Sequence, residues 1–89
     1  MKFQIEDYSG NEVTTIAIPQ LVGETKSTDI KVVEGISKMY GFNVADIDED
    51  DNGVEVIRLQ REEEDELEGD LRNGVVYLVA SLVNKYAKM

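Results

Sequence analysis

Residues 46–56 read DIDEDDNGVEV, and they decide the fold of the second half of the chain because they fit either a metal-binding loop or the tip of a β-hairpin. An EF-hand loop needs oxygen ligands at positions 1, 3 and 5, glycine at 6, an apolar residue at 8 and a bidentate glutamate at 12. With Asp48 as position 1, Asp50, Asn52 and Gly53 fit, but Glu55 occupies position 8 and Leu59 position 12. The bidentate carboxylate is missing, and the flank VEVIRL alternates with period two instead of continuing as a helix. No metal site is expected.

The hairpin pattern accounts for the same residues better. Asp51-Asn52-Gly53 makes a three-residue loop with Gly53 in the left-handed position. The pairs become Asp50–Val54, Asp48–Val56 and Asp46–Arg58 on one face, with Ile47–Ile57 and Ala45–Leu59 on the other. Apolar side chains gather together, and the aspartates stand outward.

Working outward from this hairpin, Phe3 and Ile5 share one face of a first strand, DYSGNE turns the chain, and Ile16 and Ile18 mark a second strand. A two-residue Gly10-Asn11 loop would pair Ile5 with Ile16 and Phe3 with Ile18. Pro19 ends the ladder, and LVGETKS connects to a helix over 28–40. Thr28 is its expected N-cap, and Gly41 its left-handed stop. Val32, Val33, Ile36, Met39 and Tyr40 form its apolar face. A second helix is expected over about 70–88, capped by Asp70, with Leu71, Val75, Leu78, Leu82 and Met89 at helical spacing. Between hairpin and helix, REEEDELEGD repels itself along any helix, so mobility is expected near 62–68.

The element order is ββαββα: an α+β fold, with a four-stranded, mainly antiparallel sheet and two helices packed on one face. Eighty-nine residues suit a single domain, 1–89, with one modest aliphatic core. The chain has no cysteine, no apolar leader near its start, and no apolar run approaching a bilayer span, so a soluble cytoplasmic protein without a membrane partner is expected.

Charge carries the functional reading. Thirteen of the 19 acidic residues lie between Asp46 and Asp70 against only Arg58 and Arg61, a net −11, while the other 64 residues sum to +1. Such a block repels nucleic acid directly. Without histidine or cysteine, the side chains that most often serve as general base or nucleophile are lacking. No glycine-rich phosphate loop is present, so neither enzymatic activity nor a cofactor is expected.

The expectation is a small acidic, non-enzymatic protein-binding module whose partner carries a basic surface. The candidate partner-binding residues are Asp46, Asp48, Asp50 and Asp51, with Glu62, Glu63, Glu64, Asp65, Glu66 and Glu68. Asp46, Asp48 and Asp50 alternate along a strand, about 6.5–7 Å apart, a row comparable to backbone phosphates. This suggests a DNA-mimic inhibitor of phage or mobile-element type. The alternative is a self-associating structural module, because Val76, Val79, Val83 and Tyr86 widen the apolar stripe of the last helix beyond what a sheet covers. Those four are the candidate homodimer contact.

Overall fold

Both hairpins close on the same turn. In the computed structural model, which describes residues 1–18 and 27–86 (of 27–29 the backbone alone), the elements are β1 Lys2–Glu6, β2 Glu12–Ala17, α1 Ser27–Met39, β3 Phe42–Glu49, β4 Glu55–Arg61 and α2 Glu68–Tyr86. The Asp50 amide donates to Val54 O at 2.9 Å and Gly53 N to Asp50 O at 3.0 Å, with Gly53 at φ +77°. At the first hairpin Asp7 N donates to Asn11 O at 2.9 Å and Gly10 N to Asp7 O at 3.0 Å, with Gly10 at φ +85°. In each turn the aspartate Oδ1 accepts two more amides, Ser9 and Asn11 at Asp7, Asn52 and Val54 at Asp50. Side-chain acceptance of amides two and four residues on is what selects aspartate to open such a turn.

The shared turn corrects the first hairpin. Its loop has three residues, Tyr8-Ser9-Gly10, not two, and the ladder slides accordingly: Phe3 faces Ile16 and Ile5 faces Thr14. The slip is by two residues, so every side chain keeps its face. A bulge at Val13 restores the count, leaving Glu6 opposite Glu12. In the second hairpin Asp48–Val56, Ile47–Ile57 and Asp46–Arg58 pair as expected, but a bulge at Ala45 brings Val44, not Ala45, opposite Leu59.

The sheet order is β2-β1-β4-β3. Both hairpins are antiparallel, and they join through a parallel β1–β4 pair, so the sheet is mixed. A twofold relating the two ββα halves would place equivalent strands together at the centre. Here the first strand of one hairpin meets the second strand of the other, and the halves have no such symmetry.

Phe3 and Ile5 from β1, Ile57 and Leu59 from β4 and Phe42 from β3 are fully buried beneath Val33 of α1 and Leu78 and Leu82 of α2. Both helices lie on this face. The buried side of α1 is rotated from the expected one: Ile30, Val33, Ile36, Ser37 and Tyr40 turn inward, whereas Val32 and Met39 are exposed. Gly41 ends α1 at φ +78°, as the sequence predicts. The helices touch where Tyr40 stacks on Tyr77 with centroids 6.1 Å apart and its hydroxyl meets Ser81 Oγ at 2.9 Å. Helix α2 begins at Glu68, so Asp70 sits inside its first turn and is not the cap. Helix α1 begins at Ser27, so Thr28 sits inside its first turn and is not the cap. Pro19, the 21–26 connection and Met89 lie outside what is described.

Candidate functional site

The acidic stretch 62–66 is pinned at its centre. Arg61 ends β4 opposite Phe42, and its guanidinium lies over the Phe42 ring, 5.1 Å from the centroid. Its Nε donates to both oxygens of Asp65 at 3.2 and 3.1 Å, and Nη2 donates to Oδ1 at 2.8 Å. Nη1 donates to the carbonyl of Tyr40 at the end of α1. The Arg61 and Asp65 side chains are only 16% and 14% exposed.

Two glycines make room for this fork. A Cβ on Gly74 of α2 would stand 2.6 Å from Arg61 Nη1, and one on Gly41 3.1 Å from it. The Glu62 amide completes the clamp by donating to Gly41 O at 2.9 Å. A single arginine thus ties together the end of α1, the end of β4, the connection and α2. Residues 62–68, expected from sequence to be mobile, therefore carry a specific anchor at Asp65.

With Asp65 turned inward, its neighbours turn out. Glu62, Glu63, Glu64 and Glu66 are exposed and, with Asp70, rim a hollow of about 440 Å³ whose floor holds Gly41, Arg61 and Asp65. None of these four glutamates takes part in an ion pair among the described residues. Glu68 pairs with Arg72 at 4.0 Å, both highly exposed.

The aspartate row on β3 is different. Asp46 Oδ2 lies 3.8 Å from Arg58 Nη1, and Asp50 Oδ2 accepts from Lys2 Nζ at 2.9 Å. The Lys2 hydrogen bond, with those from the Val54 and Asn52 amides, holds the Asp50 carboxyl below its ordinary value. Two of the three aspartates are thus engaged within the molecule. Asp48, with Glu49 and with Asp51 at the tip, remains exposed and outside any ion pair among the described residues. Six residues of strand, about 20 Å, separate Asp48 from the Phe42 end where the 62–66 segment sits.

The sheet face opposite the two helices holds an ion pair that the sequence did not reveal. Arg58 donates through Nε and Nη2 to the two oxygens of Glu6, both at 3.0 Å, and Gln4 Nε2 adds a third donor at 2.8 Å. Glu6 is 1% exposed although neither described helix covers it. The Glu6 carboxylate holds the Arg58 guanidinium more firmly protonated than usual. The only hint in sequence is the alternation Lys2, Gln4, Glu6, which puts these residues on the polar face; finding the partner requires knowing that β1 lies beside β4.

The four candidate dimer residues split. Tyr86 stacks on Phe3, centroids 6.3 Å apart, and Val79 packs against the core. Val76 and Val83 are 58% and 42% exposed. Among the described residues no three acidic side chains converge as a metal site, and no helix is long and apolar enough to cross a membrane. Comparison with known protein families, characterised proteins and solved structures finds no match to this chain. The class that stands is an α+β fold with both described helices on one face of a four-stranded sheet and an anchored acidic segment at one end.

Proposed function

We propose that this protein is a non-enzymatic binding module that presents the 62–66 carboxylates to a basic surface on a partner protein. The observation that carries the reading is the Arg61–Asp65 fork: it withdraws one acid from the segment and leaves Glu62, Glu63, Glu64 and Glu66 outward around a hollow. Fixing the segment before binding reduces the ordering cost that a loose acidic tail would meet. Unneutralised carboxylates steer a basic partner and define its register. The β3 edge supplies Asp48, Glu49 and Asp51 as a second, more distant acidic contact.

In its sharper form the partner is a nucleic-acid-binding protein of a host, and the carboxylates stand where backbone phosphates would, the strategy of an inhibitor carried by a phage or mobile element. The row Asp46, Asp48, Asp50 contributes less to such mimicry than its spacing suggests, because Arg58 and Lys2 already face two of its members.

Affinity capture from a cell lysate at low and moderate salt tests the reading, followed by elution with duplex DNA. A basic protein retained by the wild type and lost by Glu62, Glu63, Glu64 and Glu66→Gln is the expected result. Its release by DNA supports the mimic form. Equal retention by both chains contradicts the binding role of the segment.

A further inference from the structure

Among the described residues the sheet has β2 at one edge and β3 at the other, and the two are built differently. A bulge interrupts each edge, at Ala45 on β3 and at Val13 on β2, but the exposed edge of β3 carries Asp46, Asp48 and Glu49, charges that discourage a further strand from pairing. On β2 the residues from Val13 to Ala17 are VTTIA, uncharged and mostly β-branched, a composition suited to pairing. The Ile18 amide donates to Met1 O at 3.0 Å. Backbone direction alternates along an antiparallel ladder, so Ile16 also faces β1, while Thr15 and Ala17 turn their N–H and C=O groups outward.

We propose that two copies of this chain join edge to edge through β2, extending four strands to eight and setting α2 against α2 of the second copy through Val76 and Val83. Centring the pair on Thr15 and its counterpart places Thr14 opposite Ile16 and brings the bulged Val13 and Glu12 to the uncharged Ala17–Ile18 end of the second copy, so no carboxylate meets another across the new ladder. For a chain of net charge −10, whose excess lies between Asp46 and Asp70, this edge avoids the repulsion that β3 against β3 would bring.

The helices fit the same axis. Helix α2 lies across β1 and β2, since Tyr86 stacks on Phe3 while Val13 shares a groove with Leu71, Val75 and Val76. A twofold axis beyond β2 and normal to the sheet sets the two α2 helices antiparallel on the same face, on either side of the axis. Val76 and Val83 are seven residues apart on one stripe, so antiparallel copies bring Val76 of one against Val83 of the other. The monomer leaves both valines exposed.

Sedimentation equilibrium of the full chain at about 100 μM, with amide exchange read by NMR, tests this. The expected result is a dimer of a 10.0 kDa chain, with Thr15 and Ala17 amides exchanging more slowly as concentration rises. Thr15→Pro removes an outward N–H that no other described residue of the monomer uses, which an edge strand tolerates, and is expected to give a folded monomer by circular dichroism. The double variant Val76→Glu, Val83→Glu is expected to do the same. A wild-type monomer, a dimer retained by either folded variant, or a dimer in which Thr15 and Ala17 exchange freely overturns the proposal; the exchange measurement decides even if Thr15→Pro fails to fold.

Discussion

Gly74 lies so close to the Arg61 guanidinium that a Cβ at this position would stand 2.6 Å from Nη1. Replacing an interior helical glycine by alanine ordinarily stabilises a helix by about 0.5–1 kcal/mol. At Gly74 the sign reverses: Gly74→Ala is expected to cost about 1–3 kcal/mol, as overpacking does, in urea denaturation. Arg61→Lys is expected to destabilise as well, since an ammonium cannot reproduce the fork to Asp65. A stabilised Gly74→Ala chain would show that the guanidinium yields cheaply and is not held in place by the fork.

Glu6 and Arg58 form a two-pronged pair on the sheet face opposite the helices; removal of Arg58 leaves the buried Glu6 without its counter-charge, and removal of Glu6 leaves Arg58 with only the longer contact to Asp46. Glu6→Gln and Arg58→Gln are each expected to lower the urea midpoint. The double variant should lose clearly less than the sum of the two. Additive losses would mean that the two side chains do not act together.

Asp50 makes the second hairpin sensitive to acid. Its carboxyl is held below the ordinary 3.8, chiefly by the Lys2 hydrogen bond, so in the window beneath 3.8 the unfolded chain binds the proton more readily than the folded one. The contribution is fully present above that value and is lost as pH falls through the lower folded value. Thermal melts of wild type and Asp50→Asn are expected to differ at pH 6 and to converge as pH drops toward 2. A gap that stays constant over this range would remove ionisation of Asp50 from the explanation.

Val76 and Val79 sit three residues apart on α2 and should respond oppositely to a buried-charge test. Val79 packs on the core, so Val79→Glu is expected to destabilise the monomer by at least about 2 kcal/mol. Val76 is 58% exposed, and Val76→Glu should change monomer stability by less than about 0.5 kcal/mol. Urea titration at low micromolar concentration separates them. Equal effects would place the helix at a different rotation on the sheet.

Local chemistry was legible in the sequence, and neighbour relations were not. The turn at Asp51-Asn52-Gly53 and the pairs from Ile47–Ile57 to Asp46–Arg58 follow from Gly53 and the alternation around it. The first hairpin slipped by two because its register hangs on the Asp7 carboxylate, although DYSGN at 7–11 repeats the aspartate-to-glycine spacing of DDNGV at 50–54. Ser37 is wholly buried in α1, and a polar residue on the core side hides the true face from any hydrophobic pattern. Whether β1 lies beside β3 or β4 depends on packing between distant segments, and with it went the Glu6–Arg58 pair. Arg61 and Asp65 are only four residues apart, yet a run of like charge concealed that one acid is bound and its neighbours are free.

In the proposed function the anchored 62–66 segment, more than the aspartate row on β3, recognises a basic partner. The most direct measurement compares two charge-neutralised chains in the same capture at moderate salt: Glu62, Glu63, Glu64 and Glu66→Gln against Asp46, Asp48 and Asp50→Asn, each first shown to be folded. The expected outcome is loss of the partner by the first and its retention, at most weakened, by the second. Loss confined to the aspartate variant, or retention by both, would contradict the claim.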